Sequence, residues 1–257
     1  MNKFKIAAIS ALLVTGLAGQ ASAHAAWISE RHGDLAVVYG DLSDEGYDIS
    51  YIESIAAKKA DMSDCMVTRK DHDDHVEFSI GAEGVYVSTA YMRGYSTKDK
   101  DGNRFNKPKN EVENAASSGY YVKYATAILG KIGGEPQAQG VKLEILPLTD
   151  PTRIEMGGKL TVQVLFEGKP LAGAKFYPSY TTDNVHSTYT DEDGKVTFLV
   201  KNQGENVLAV KHSVLTPEAA TQDKFGYYST LSFKSLNAKR EKRAAEKAAK
   251  AAAEKAK

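Results

Sequence analysis

The chain has one cysteine, Cys65, among 257 residues, so no disulfide can form within it even in an oxidising compartment. A lone thiol in such a chain reads as a small buried hydrophobe. Long apolar runs are almost as scarce. The only one extends from Ile6 to about Gly19, too short to cross a bilayer comfortably. No lipid-accepting cysteine follows it. Catalytic signatures are missing too: there is no His-Glu-x-x-His pair, no nucleophile elbow and no glycine-rich phosphate loop. These absences favour a soluble binding protein over an enzyme.

What is present at the N-terminus is the layout of a secretory leader. Lys3 and Lys5 precede the apolar run, and Ala21 and Ala23 supply the small side chains that signal peptidase needs. Cleavage after Ala23 makes residues 1–23 a signal peptide, predicts a periplasmic protein and leaves His24 as the first mature residue. A terminal histidine can chelate one metal ion through its α-amine and Nδ1 together.

The formal net charge is zero, with 33 basic and 33 acidic residues, but the charge is unevenly spread. Residues 238–257 carry a net +5 and the leader +2, which leaves about −7 on residues 24–237. An acidic body favours cations over nucleic acid. The Ala/Lys/Glu-rich tail, residues 237–257, has strong helix formers and no apolar stripe. It predicts a solvent-exposed helix, either a plain solvated tail or a contact with a partner or membrane surface.

Between leader and tail the pattern is mainly β. Residues 24–140 read as a β-rich N-terminal domain: a strand over Asp34–Gly40, a pair over Met66–Arg69 and His75–Ile80, and another strand from Gly84 to Tyr91. Polar residues 93–119 predict a long loop. Ser118–Leu129 places Tyr121, Tyr124, Ala125 and Ile128 at helical spacing, so a short helix is expected there. Gly133-Gly134-Glu135-Pro136 and Gly140 mark a domain boundary. Residues 141–236 then carry about seven short strands with turns between them, predicting an immunoglobulin-like or prealbumin-like antiparallel β-sandwich.

Several segments carry a family resemblance. They are Leu143-Glu144-Ile145-Leu146-Pro147-Leu148-Thr149-Asp150-Pro151, Val164 to Ala174, Thr190 to Phe198, and the opening His24-Ala25-Ala26-Trp27. Together they resemble a domain-of-unknown-function family regarded as the periplasmic component of nickel or cobalt uptake systems. His212 sits where that family has a histidine ending the next-to-last strand. The resemblance implies a periplasmic metal-binding accessory protein whose partner is a membrane metal-uptake transporter.

Nickel, cobalt and copper(II) favour imidazole and amine nitrogen, with carboxylate as supplement. The expected site is therefore His24, completed by His212 and His186 from two strands of the sandwich. Trp27 would anchor the N-terminal strand. Nickel or cobalt is the first expectation for the cation, with copper or zinc accepted by the same donors. His72 and His75, among Asp71, Asp73 and Asp74, form a second cluster, for which a solvated turn is the favoured reading. Met62, Cys65 and Met66 offer soft ligands, but Cys65 and Met66 lead into a strand and are expected in the core. Asp191-Glu192-Asp193-Gly194 reads as a hairpin turn. The rival readings are a terminal-histidine copper protein or copper redox enzyme, and a structural β-sandwich interaction module.

Overall fold

The computed structural model describes residues 24–31, 33–243, 246 and 247. The leader, His32 and most of the tail lie outside the described residues. Seven strands come first: β1 (Ala25–Arg31), β2 (Asp34–Gly40), β3 (Asp44–Glu45), β4 (Ile52–Lys59), β5 (Asp64–Cys65), β6 (Val67–Asp71) and β7 (Val76–Ile80). Three more form a long hairpin: β8 (Val85–Asp99), β9 (Arg104–Phe105) and β10 (Ala115–Leu129). The remainder are β11 (Leu143–Pro147), β12 (Lys159–Phe166), β13 (Lys169–Pro170), β14 (Lys175–Tyr177), β15 (Thr188–Tyr189), β16 (Lys195–Leu199), β17 (Glu205–Leu215) and β18 (Lys224–Lys234).

These strands form three sheets, in keeping with the mainly β class and the antiparallel sandwich read from the sequence. One sheet runs β1-β2-β7-β6, with β3 on β2. The central sheet runs β15-β14-β17-β18-β10-β8-β4-β5, with β9 on β8. The third joins β11, β12 and β13, with β16 on β12. All pairings are antiparallel except β10 with β18, which run parallel from Gly119 opposite Lys224 to Ile128 opposite Phe233. That pairing joins chain segments on either side of the glycine-rich patch at 133–140 in one sheet.

Two expectations for the middle of the chain are corrected. Residues 118–129 belong to β10 and are not a helix. Val122 and Ile128 face a core shared with Leu143, Leu160, Val162 and Val164 of the third sheet. Ala125 and Ala127 face the opposite core, with Val37, Val76 and Phe78 of the first sheet. A strand covered on both faces carries apolar residues at nearly every position, and a helical spacing can be picked out of such a run by accident. Likewise, residues 93–119 are not one long loop, because β8 continues to Asp99 and β10 begins at Ala115. Their polar side chains pair across the hairpin: the buried hydroxyls of Thr97 and Ser118 lie 2.6 Å apart, and Thr97 also donates to the Lys107 carbonyl.

β1 is the strand on which the first sheet meets the central one. Its residues alternate between two cores, Ala26 and Ile28 into one, Ala25 and Trp27 into another with Tyr177, Tyr180, Val207 and Ala209. Its outer edge, which would otherwise expose unpaired carbonyls, lies against side chains of the central sheet. Thr230 Oγ1 donates to the Ala26 carbonyl at 2.7 Å, and Lys123 Nζ donates to the carbonyl of His24. The residue after the expected cleavage point is thereby tied to a strand buried on both faces and along its edge.

At the other end of the chain, residues 238–243 are helical, with Asn237 Oδ1 capping the Arg240 amide at 3.0 Å. Met66 is strongly exposed, against expectation, while Cys65 packs partly against the core that holds Val37, Val76 and Phe78. β5 and β6 meet at Met66, so the chain turns there and the side chain points outward. The 191–194 segment is the expected turn: Asp191 Oδ1 accepts from the amides of Asp193 and Lys195, and Gly194 takes the left-handed conformation.

Candidate metal centre

His24 stands at the N-terminal end of β1. Its Nε2 lies 2.8 Å from Glu45 Oε1, and ligand atoms of His24, Asp41 and Glu45 all fall within 4.8 Å of one another. The turn after β2 produces this convergence. Gly40, opposite Ala25 in the β1–β2 ladder, has φ +147°, and a Cβ there would sit 2.0 Å from the Ser43 carbonyl oxygen. Only glycine allows so tight a return, which brings Asp41 and the β3 residue Glu45 back beside His24. The imidazole packs 5.4 Å from the Tyr39 ring, which itself stacks on Tyr91 at 4.7 Å. Burial raises the pKa of both tyrosines.

The expected assembly of His24 with His186 and His212 is not formed. On β17, Lys211 points toward Tyr228 and Tyr177, its Nζ 5.1 and 4.9 Å from their rings. Lys211 thus shares the His24 side of the central sheet. Strand alternation turns His212 to the other face, where its ring lies 4.6 Å from Phe166 and burial lowers its pKa. His186 is not in a strand. It is exposed in the turn before β15, where Asp183 holds its Nδ1 at 2.9 Å. Asp41 and Glu45, whose carboxylates converge on His24, are not among the donors expected from the sequence. The glycine ending the Asp34–Gly40 strand, followed closely by three acids, was the signal that could have found them.

His72 and His75 form a second convergence, and it includes a residue outside the 71–75 turn. Their rings stack at 4.3 Å, 4° from parallel. His72 Nε2 lies 2.7 Å from Glu77 Oε2, and His75 Nε2 lies 3.7 Å from Glu77 Oε1. Glu77 is buried on β7, and hydrogen bonds from Lys70 and His72 hold its carboxyl down at about 2. The sequence concealed Glu77 because it sits between Val76 and Phe78 and reads as the outward position of a strand. A cavity of about 220 Å³ is lined by Glu45 of the first group and His75 of the second, with Asp44 and Asp74 between them.

The two donor sets differ chemically. The first offers one nitrogen and two carboxylates; the second offers two imidazole nitrogens and one carboxylate. Imidazole suits nickel, copper and zinc, while carboxylate oxygen widens the range toward harder cations. A larger cavity, about 680 Å³, lies at the far end of β1 around Ser29, Leu35, Leu129 and Phe233, and no described histidine lines it.

No curated protein matches this chain. A family model matches residues 21–214, from just before His24 to the end region of β17. The chain belongs to that family, the domain of unknown function DUF4198.

Proposed function

We propose that this chain is a periplasmic metal-binding protein that captures a divalent transition metal, nickel or cobalt first, and delivers it to a membrane uptake transporter. The observation that carries the reading is the convergence of His24, Asp41 and Glu45 at the start of β1. The leader-like spacing before His24 supports the compartment. The family resemblance supports the transporter as partner and nickel or cobalt as cargo. The protein acts by capture and release, without a catalytic step.

In this reading β1 fixes the His24 backbone and the Tyr39 ring restricts the imidazole, so little freedom is lost when a cation binds. The cation replaces the hydrogen-bonded contact between Nε2 and Glu45. Protons compete for the same nitrogen, so affinity falls in acid. The α-amine chelate expected from the cleaved terminus would use Nδ1 instead. The two ring nitrogens point apart, so one ion cannot use both donor sets. The carboxylates at Nε2 favour the mode that needs no free amine.

Calorimetric titration separates the modes. The chain starting at His24 should bind nickel or cobalt, and His24→Ala should weaken binding at least about 100-fold, since even outer-shell losses cost about 10–100-fold. Glu45→Gln should weaken it about tenfold or more, while one extra residue before His24 should change it less than about threefold. Equal affinity in wild type and His24→Ala would remove the site. Loss of copper(II) binding alone on extension would instead identify an amine-dependent copper site.

The cavity shared by Glu45 and His75 favours a second cation position at His72, His75 and Glu77. Saturated protein should then hold two equivalents, and a His72→Ala/His75→Ala double variant one, as read by elemental analysis after gel filtration.

A further inference from the structure

We propose that the recess on the other side of His24 is a binding site for a small polyvalent oxyanion, one carrying two or more carboxylate or phosphate groups. The cavity holds about 220 Å³, far more than the ~10–15 Å³ that admits one water. Two guanidinium groups, Arg93 and Arg104, and the amine of Lys123 line it, and no acidic residue does. None of the three forms an ion pair with a carboxylate among the described residues. This sits in a body whose net charge is about −7, so the local sign runs against that of its surroundings.

The donors are built in. Lys123 is buried, and its Nζ lies 4.2 Å from the centre of the Tyr228 ring. Arg93 Nη2 donates to Asn106 Oδ1 at 2.9 Å, while its Nη1 is buried without a hydrogen-bond partner. Arg93 and Arg104 bring two guanidinium groups to the recess, and an oxyanion placed there gains charge-assisted contacts that a neutral ligand would not. Tyr121 adds a phenol, seated flat across two glycines. A Cβ at Gly119 or Gly226 would come within 2.8 or 2.5 Å of its ring atoms.

His24 lines this recess as well as belonging to the carboxylate group. If the metal reading holds, and this clause alone rests on it, the pocket receives the acid that accompanies the cation, directly beside the metal position.

The test uses protein starting at His24, stripped of metal over a chelating resin, because soluble chelators are themselves polycarboxylates. Citrate, pyrophosphate and acetate are titrated by calorimetry at low and moderate salt. Citrate or pyrophosphate should bind at least tenfold more tightly than acetate, and more weakly as salt rises. The tighter of the two identifies carboxylate or phosphate as the natural group. Arg104→Gln, an exposed position that should not disturb folding, and Arg93→Gln should each weaken binding about tenfold or more. Gly226→Val should weaken it by displacing Tyr121, and Lys159→Gln, on the third sheet, should leave it unchanged. No binding of either polyanion by wild type overturns the proposal, as does unchanged binding in both arginine variants. Every arm is metal-free, so either result leaves the nickel titration of His24→Ala to decide the metal reading separately.

Discussion

Trp27→Ala is expected to destabilise the protein by about 3–5 kcal/mol, the range for removing a large aromatic from a packed core. Trp27 is 2% exposed and meets Tyr180 at a ring distance of 6.3 Å. It fills the smallest of the three cores, where few neighbours can collapse into the space it leaves. Trp27→Phe should cost only about 1–2 kcal/mol. It loses part of the ring, but it also removes an indole Nε1 that is buried without a hydrogen-bond partner. Urea unfolding followed by circular dichroism measures both, because Trp27 is the only tryptophan and its own fluorescence disappears with it. An alanine variant within about 1 kcal/mol of wild type would show that β1 is not the strand that fastens the first sheet to the central one.

The consequence for the candidate site is direct. His24 keeps its place because Ala25, Ala26 and Trp27 are buried immediately after it. Trp27→Ala should therefore weaken metal binding in proportion to the loosening of β1, and Trp27→Phe should restore most of it.

Short strands bounded by turn residues were plain in the sequence. Asp34–Gly40, an apolar run ended by a glycine, and the 76–80 strand after a polar turn were legible to within a residue although both are largely buried. β10 was not, since its fifteen residues send apolar side chains to two cores and the run is long enough to match a helical spacing. β8 beyond Tyr91 was hidden by its composition: its polar side chains satisfy one another across a hairpin, a long-range fact with no local signature. The candidate site followed the same rule. His24 was legible from the leader spacing, while its partners depended on a sharp glycine turn and on strand pairing. His212 does not join His24 because alternation along β17 turns it away from the face that Lys211 shares with His24, a parity that only the strand pairing fixes.

The lysine that holds the His24 carbonyl should also give the protein an alkaline stability maximum. Burial, with help from the nearby Lys211 and Arg93 charges, lowers the Lys123 pKa to about 7 from an ordinary 10.5. Between those values the unfolded chain binds a proton at this side chain that the folded chain does not. Stability must then rise with pH across that window, by up to about 5 kcal/mol in all. Burial lowers the pKa of Lys211 as well, which adds in the same direction. The rise ends near pH 10, because burial pushes Tyr47 and Tyr228 up to about 12. Above pH 10 the unfolded tyrosines release protons that the folded ones keep, and stability falls. Metal-free wild type followed by urea unfolding from pH 6.5 to 11 should therefore show a maximum near pH 9.5–10. Lys123→Met should flatten the rising limb and gain stability at pH 7, less about 1 kcal/mol for the lost hydrogen bond to the His24 carbonyl. An unchanged pH profile in Lys123→Met would mean that Lys123 keeps its proton in the folded protein, and that a counter-charge reaches it which the cationic pocket itself does not supply.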